Sequence, residues 1–96
     1  MLNKKGPEMP RTMNQPKTIL KNIMEAAAWP SDARKMVEWS DEQIAADLAD
    51  YAEQMWHNQY VAVDVSRVTP SAFRTAAVKR EEYLKELWAG EPEEFM

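Results

Sequence analysis

The stretch SDEQIAADLADYAEQMW, residues 40–56, decides the fold. Its apolar residues recur every three or four positions and therefore fall within one narrow sector of an α-helix. They are Ile44, Leu48, Tyr51 and Met55. Ser40 precedes this pattern and Gln43 follows three residues later, which is the spacing of a capping box. Because the apolar phase fails beyond His57, the sequence predicts a helix over residues 40–57.

Two helices are predicted on the N-terminal side of this stretch. Pro16 suits the first turn of a helix, and apolar residues follow it at helical spacing. This helix is expected to end at Trp29, because Pro30 disfavours the α conformation in the residue before it. Ser31 is the expected N-cap of a short second helix.

A last helix is predicted over residues 70–89. Thr69 and Pro70 fit the N-cap and first helical positions, and Gly90 suits the position that follows a helix end. Before it, residues 60–65 (YVAVDV) have the β-branched composition of a strand. No other segment resembles a partner strand. We therefore consider an irregular linker, a strand paired across a dimer axis, and a strand added to another protein's sheet.

These elements define an all-α protein, a small bundle of three to four helices over residues 16–90 with one irregular or β-like segment at 60–65. Residues 1–15 hold three prolines or glycines and no apolar period, so we expect a flexible basic arm that is extended or disordered. Residues 91–96 (EPEEFM) are expected to be an acidic tail.

The chain lacks the residues that most enzyme sites require. It has no Cys, and its two glycines are too few for a glycine-rich phosphate loop. The single histidine, His57, shares a helical face with Glu53, but two ligands fall short of a metal site. We therefore predict a protein that is not an enzyme and has no cofactor and no metal. With no signal peptide and no apolar run of about 20 residues, the prediction is a cytoplasmic protein that does not enter a membrane.

The most unusual feature of the sequence is its charge distribution. Residues 36–66 hold seven carboxylates and no Lys or Arg. This is either the solvated face of an ordinary helix or a surface that imitates a row of phosphates and binds a basic groove. Three aromatic side chains near helix ends are typical contact anchors, or else form a small cluster that closes the bundle. The candidate partner-binding residues are Glu42, Asp47, Asp50, Glu53, Trp56, Tyr60 and Trp88.

The sequence therefore favours a protein–protein interaction module: a small regulator, adaptor or inhibitor, such as a phage accessory protein. Its expected partner is another protein, with a nucleic-acid-processing enzyme as the sharper hypothesis, and a second copy would make a homodimer. The alternative is a weak DNA-binding regulator that uses helix 70–89 and the basic arm. Its candidate residues are Lys4, Lys5, Arg11, Arg67, Arg74, Lys79 and Arg80. Direct nucleic-acid binding is disfavoured because acidic residues follow these cations along the last helix.

Overall fold

The fold is small and mostly helical, as predicted. A computed structural model describes residues 11–89. The elements in chain order are β1 (Arg11–Met13), α1 (Pro16–Met24), α2 (Pro30–Val37), α3 (Asp41–Gln59), β2 (Val61–Val63) and α4 (Pro70–Leu87). Four helices therefore account for most of the described chain, and the two short strands form a sheet. The sheet corrects the all-α prediction.

Helix α4 organises the core, because it contacts each of the other three helices and packs most extensively on α2. Phe73 and Leu84 of α4 are fully buried between the helices. Ile19 of α1 and Ile44 of α3 reach the same core. Burying a side chain of this size contributes about 1.5–3 kcal/mol, so this shared apolar centre fixes the relative positions of the helices.

The local start signals of three helices are confirmed. Pro16 and Pro70 occupy the first turns of α1 and α4. The Ser40 hydroxyl accepts the Gln43 amide proton at 3.1 Å. The Thr69 hydroxyl accepts the corresponding amide of its own helix at 3.0 Å. Each cap satisfies a backbone donor that the first helical turn leaves free. Helix α3 ends at Gln59, two residues beyond the predicted boundary.

The end of α1 differs from the prediction. The helix stops at Met24 rather than at Trp29. The amides of Ala26 and Ala27 bond to carbonyls only three residues back, which tightens the last turn and ends the α-helical ladder. Ala27 is then buried in the core, so tertiary packing sets this boundary.

The start of α2 also corrects the prediction, because the N-cap is Trp29 and not Ser31. Trp29 is extended, with φ −122° and ψ 153°, and its amide donates to the Asp32 carboxylate at 3.2 Å. Pro30 is the first residue of α2, a position where its missing amide proton costs nothing. The proline therefore opens this helix and does not terminate the one before it, which already ends at Met24.

Residues 61–63 form a strand whose partner lies within the same chain. Strand β2 pairs in parallel with β1, with Arg11 opposite Val61 and Met13 opposite Val63. The Asp64 amide extends the pairing by donating to the Met13 carbonyl at 2.9 Å. All three interpretations of residues 60–65 missed this partner, because three residues with only one β-branched member carry no strand signature. The burial of Val61 stabilises the pairing.

The predicted arm over residues 1–15 therefore needs a correction at residues 11–13, which belong to the sheet. Residues 1–10, which include Lys4 and Lys5, lie outside the described residues. The predicted acidic tail, residues 91–96, also lies outside them, as does Gly90.

Candidate partner-binding surface

The outward face of α3 is acidic and has little internal compensation. Glu42, Asp50 and Glu53 are exposed on the side of the helix opposite the buried Ile44 and Leu48. Within residues 11–89, no Lys or Arg forms an ion pair with any of these three carboxylates. The Glu53 carboxylate lies 3.7 Å from the imidazole Nε2 of His57 on the same helix, and both side chains are exposed. We call these carboxylates, together with Asp47, the α3 acidic face.

Asp47 occupies a cleft between α1 and α3. The cleft encloses about 310 Å³, and its lining includes Asn22 of α1, Ala26 just after that helix, and Asp50 and Gln54 of α3. Burial raises the pKa of Asp47, and the neighbouring charge of Asp50 raises the same pKa further. Within the described residues no Lys or Arg pairs with this carboxylate. The cleft therefore presents oxygen acceptors to which a cationic side chain from outside could bind.

Two large rings lie at the C-terminal end of α3. Trp56 is 41% exposed and Tyr60 55% exposed, and their ring centroids are 4.5 Å apart. Tyr60 has φ 54° and ψ 44°, the left-handed conformation, which costs a residue with a side chain roughly 1–2 kcal/mol. Because β2 begins at the next residue with buried Val61, the chain must turn sharply here. We call this pair the aromatic end of α3.

Trp88 has a different environment from the other two predicted aromatic anchors. Its ring stacks on Trp29 at 4.3 Å between centroids. Its indole N–H donates to the Ala28 carbonyl at 3.0 Å. Trp88 therefore attaches the segment between α1 and α2 to the C-terminal end of α4. The predicted partner-binding residues on α3 and its cap share one helix, whereas Trp88 makes internal contacts.

Two of the cations proposed for nucleic-acid binding, Arg74 and Arg80, are engaged inside the protein. The Arg74 guanidinium donates to the Trp39 carbonyl at 2.8 and 3.3 Å and also pairs with Asp41. The Arg80 guanidinium donates two hydrogen bonds to the Ala27 carbonyl, at 2.9 and 3.1 Å. The remaining candidates in the described chain, Arg11, Arg67 and Lys79, are exposed. Arg74 and Arg80 therefore have structural roles that docking on phosphates would disturb.

A groove between α1 and α4 was not predicted from the sequence. It encloses about 590 Å³ and has an apolar floor. Four cations surround it, two from each helix: Lys17, Lys21, Lys79 and Arg80. The spacing of Lys17 and Lys21, four residues apart, was the only local signal, since it places two like charges on one side of α1. Nothing local indicates that α4 would add its cations to the same rim.

Residues 11–89 show neither a metal-ligand cluster nor a membrane-spanning helix. No three side chains of the metal-binding types come together there as a ligand group. No helix in this part of the chain is long and apolar enough to cross a membrane.

Comparison with known proteins returns no relative. No protein family, no curated protein and no solved structure matches this chain.

Proposed function

We propose that this chain is a non-enzymatic protein-binding module whose α3 acidic face holds a basic surface of another protein. The observation that supports this most directly is the lack of internal counterions: Glu42, Asp47 and Asp50 pair with no Lys or Arg in residues 11–89. Like charges one turn apart on a helix destabilise it by a few tenths of a kcal/mol per pair. A cationic partner relieves this repulsion, which favours association.

The partner that fits this face best is the nucleic-acid groove of a nucleic-acid-processing enzyme. Asp47, Asp50 and Glu53 follow one another at three-residue spacing on a rigid helix, so they present a row of anionic groups. Such a row imitates the phosphates that the enzyme's Lys and Arg bind. The protein then acts as a small cytoplasmic inhibitor or regulator. Association between the acidic face and the enzyme's basic groove is expected to be fast and to weaken as the salt concentration rises.

The aromatic end of α3 adds a preference for arginine over lysine. A guanidinium can stack on the exposed ring of Trp56 or Tyr60 while it donates to the carboxylate of Glu53, which lies one turn before Trp56. Stacking of this kind contributes about 0.5–2 kcal/mol, depending on how far the pair is desolvated. An ammonium group lacks the planar fork that this arrangement uses. We therefore expect the contacting partner surface to be rich in arginine.

The test compares two charge-reversed variants that change the net charge equally. D50K/E53K alters the α3 acidic face, whereas E82K/E86K alters exposed positions on α4. With each protein as bait in a cell extract, we expect wild type and E82K/E86K to capture the same nucleic-acid-processing enzyme and to inhibit it. D50K/E53K should inhibit the captured enzyme at least about tenfold less, and raising salt from about 50 to 200 mM should weaken the wild-type complex.

Equal capture by wild type and D50K/E53K would overturn the proposal. So would the capture of only proteins that do not handle nucleic acid. Duplex DNA added to the extract serves as a further control, because a phosphate mimic and DNA must compete for the same groove on the enzyme.

Direct nucleic-acid binding receives no support as a second function. The guanidinium groups of Arg74 and Arg80 already bond to backbone carbonyls, and Arg74 also pairs with Asp41. Phosphate contacts by these residues would have to replace those bonds. We expect no retardation of duplex DNA at low salt in a gel shift.

A further inference from the structure

The groove between α1 and α4 has a floor of apolar atoms. Small side chains at Ala72 and Ala76, one turn apart on α4, leave a depression beside Leu20 and Met24 of α1. The ring of Tyr83 lies on the same groove and is 54% exposed. The depression encloses about 590 Å³, and exposed apolar patches with a polar rim are typical of protein contact surfaces.

The rim of the groove carries the opposite charge to the rest of the molecule. Lys17, Lys21, Lys79 and Arg80 surround the floor, against a single acid, Glu25. Within residues 11–89 no carboxylate forms an ion pair with any of the three lysines. These cations gather at one place although the chain has a net charge of −4.

One of the four cations is held in place by the fold. Both hydrogen bonds of the Arg80 side chain go to the Ala27 carbonyl, and its guanidinium lies 5.3 Å from the centre of the Tyr83 ring. This end of the groove is therefore pre-organised, with a fixed charge above an aromatic surface. The lysines have no such restraint and can adjust to a ligand.

We propose that the groove binds an acidic amphipathic helix of a partner protein. Apolar side chains at i, i+3 or i+4, and i+7 of such a helix would lie on the floor of Leu20, Met24 and Ala76. Glu or Asp residues beside that stripe would meet Lys17, Lys21 and Lys79. The apolar floor favours a peptide over a nucleic acid, whose phosphates would meet the cations but leave the floor uncovered. This inference does not depend on the function proposed for α3.

The test uses three synthetic peptides of equal length as probes. The first has leucines at helical i, i+3, i+7 spacing with glutamates on both sides of the stripe. The second replaces the glutamates with lysines, and the third replaces the leucines with alanines. Amide chemical shifts of the full chain report both affinity and location. We expect the first peptide to bind and to shift Lys21, Ala76 and Tyr83, and the other two to bind at least about tenfold more weakly.

Matched variants of the full chain separate rim charge from net charge. K21E/K79E reverses two rim lysines, whereas K35E/R67E reverses two exposed cations that do not line the groove. We expect K21E/K79E to weaken binding of the glutamate-flanked peptide about tenfold and K35E/R67E to leave it within about twofold. Circular dichroism of each variant checks that the helices are retained.

Five results would overturn the proposal. Equal binding of glutamate-flanked and lysine-flanked peptides removes the charge argument, and unchanged binding by K21E/K79E removes the site. Tighter binding of a single-stranded oligonucleotide at the same amides assigns the groove to nucleic acid. Self-association that K21E/K79E abolishes in sedimentation assigns it to a second copy. Shifts at Ala76 and Tyr83 caused by E93K/E94K, without peptide, assign it to residues 91–96 of the same chain.

Discussion

The α3 acidic face and the α1–α4 groove are opposite in almost every property. The first is built on one helix and is polar, anionic and ended by two exposed rings. The second is built between two helices and is apolar at its floor and cationic at its rim. Helix α1 separates them, because Asn22 and Ile23 border the cleft beside α3 while Leu20 and Met24 border the groove.

The two surfaces also differ in how visible they are in the sequence. Asp47, Asp50 and Glu53 lie within seven residues, so a helical projection of that stretch shows their shared side directly. Lys21 and Lys79 are separated by most of the chain and meet only because α1 and α4 pack together. A surface on one element can be predicted from its periodicity, whereas one between elements requires the tertiary contacts.

The largest effect is expected from a change in the core that supports both surfaces. Phe73 is 0% exposed and its ring packs on Trp39 at 5.8 Å between centroids. We expect Phe73→Ala to lower the free energy of unfolding by about 3–5 kcal/mol, measured by urea denaturation. The margin of a small protein is only about 5–15 kcal/mol, so both binding activities should weaken together.

Val78→Ala is the matched control for this prediction, since Val78 lies on the same helix but is exposed. It should change stability by no more than about 0.5 kcal/mol. A loss below about 1 kcal/mol for Phe73→Ala would show that the two surfaces do not depend on one core.

The next largest effect on stability is expected at Arg80, which differs from the other rim cations because the fold uses its hydrogen bonds. Arg80→Met removes both donors from the carbonyl of buried Ala27, so we expect a loss of about 1–3 kcal/mol in thermal or urea unfolding. Lys79→Met removes a neighbouring charge without any such bond and should stay within about 0.5 kcal/mol. Arg80→Lys should recover only part of the loss, because an ammonium cannot reproduce the two-bond fork. If Arg80→Met and Arg80→Lys were both as stable as wild type, the two hydrogen bonds to Ala27 would not stabilise the fold.

The same distinction between local and tertiary information explains which parts of the fold could be predicted. The caps at Ser40 and Thr69 are hydrogen bonds between residues three positions apart, so both partners can be recognised in a short stretch of sequence. The start of α1 at Pro16 is equally local. The end of α1 at Met24 is not, because it depends on bringing Ala27 into a core made by other helices.

The parallel sheet shows the limit of sequence reasoning most clearly. Arg11 and Val61 pair across 50 positions of sequence, with three helices between them. The composition of residues 61–63 indicates a strand, but the composition of residues 11–13 does not. Pairing depends on the positions of the start of α1 and the end of α3, because these helix ends bring the two strands together. In the candidate site, the acidic residues of α3 could be selected from the sequence alone. The internal role of Trp88 could not, because it depends on the contact with Trp29.

A smaller effect of opposite sign is expected at the aromatic end of α3. Tyr60→Gly relieves the left-handed backbone, so we expect a gain of up to about 1 kcal/mol in the free energy of unfolding. It also removes a ring, so binding of an arginine-rich peptide should weaken at least about fivefold. Calorimetry measures both quantities on the same protein.

Tyr60→Ala provides the matched control, because it removes the ring but keeps the unfavourable backbone conformation. It should reduce peptide binding as much as Tyr60→Gly does, without the gain in stability. Undiminished peptide binding by both variants would exclude the aromatic end from the binding surface.

The smallest effect concerns two carboxylates of the acidic stretch that respond to pH in opposite directions. Burial, and then the charge of Asp50, raise the pKa of Asp47 above 3.8 in the folded protein. Its ionised form is therefore unfavourable in the fold at neutral pH, and this cost disappears once the group is protonated in both states below pH 3.8. We expect Asp47→Asn to raise the urea midpoint slightly at neutral pH and to leave it unchanged near pH 3.

Asp64 gives the opposite case on the same stretch. Its carboxylate accepts the Ser66 hydroxyl at 2.6 Å and the Ser66 amide at 2.9 Å, and these bonds lower its pKa. Its stabilisation is present above pH 3.8 and is lost as the pH falls through the lowered pKa, so Asp64→Asn should lower the urea midpoint slightly at neutral pH only. Because Asp64 is exposed and Asp47 is partly so, solvent screens both effects. A lower midpoint for Asp47→Asn at neutral pH would mean that a cation within the protein already stabilises this carboxylate, and the α3 acidic face would then have no unpaired charge at Asp47 to offer a partner.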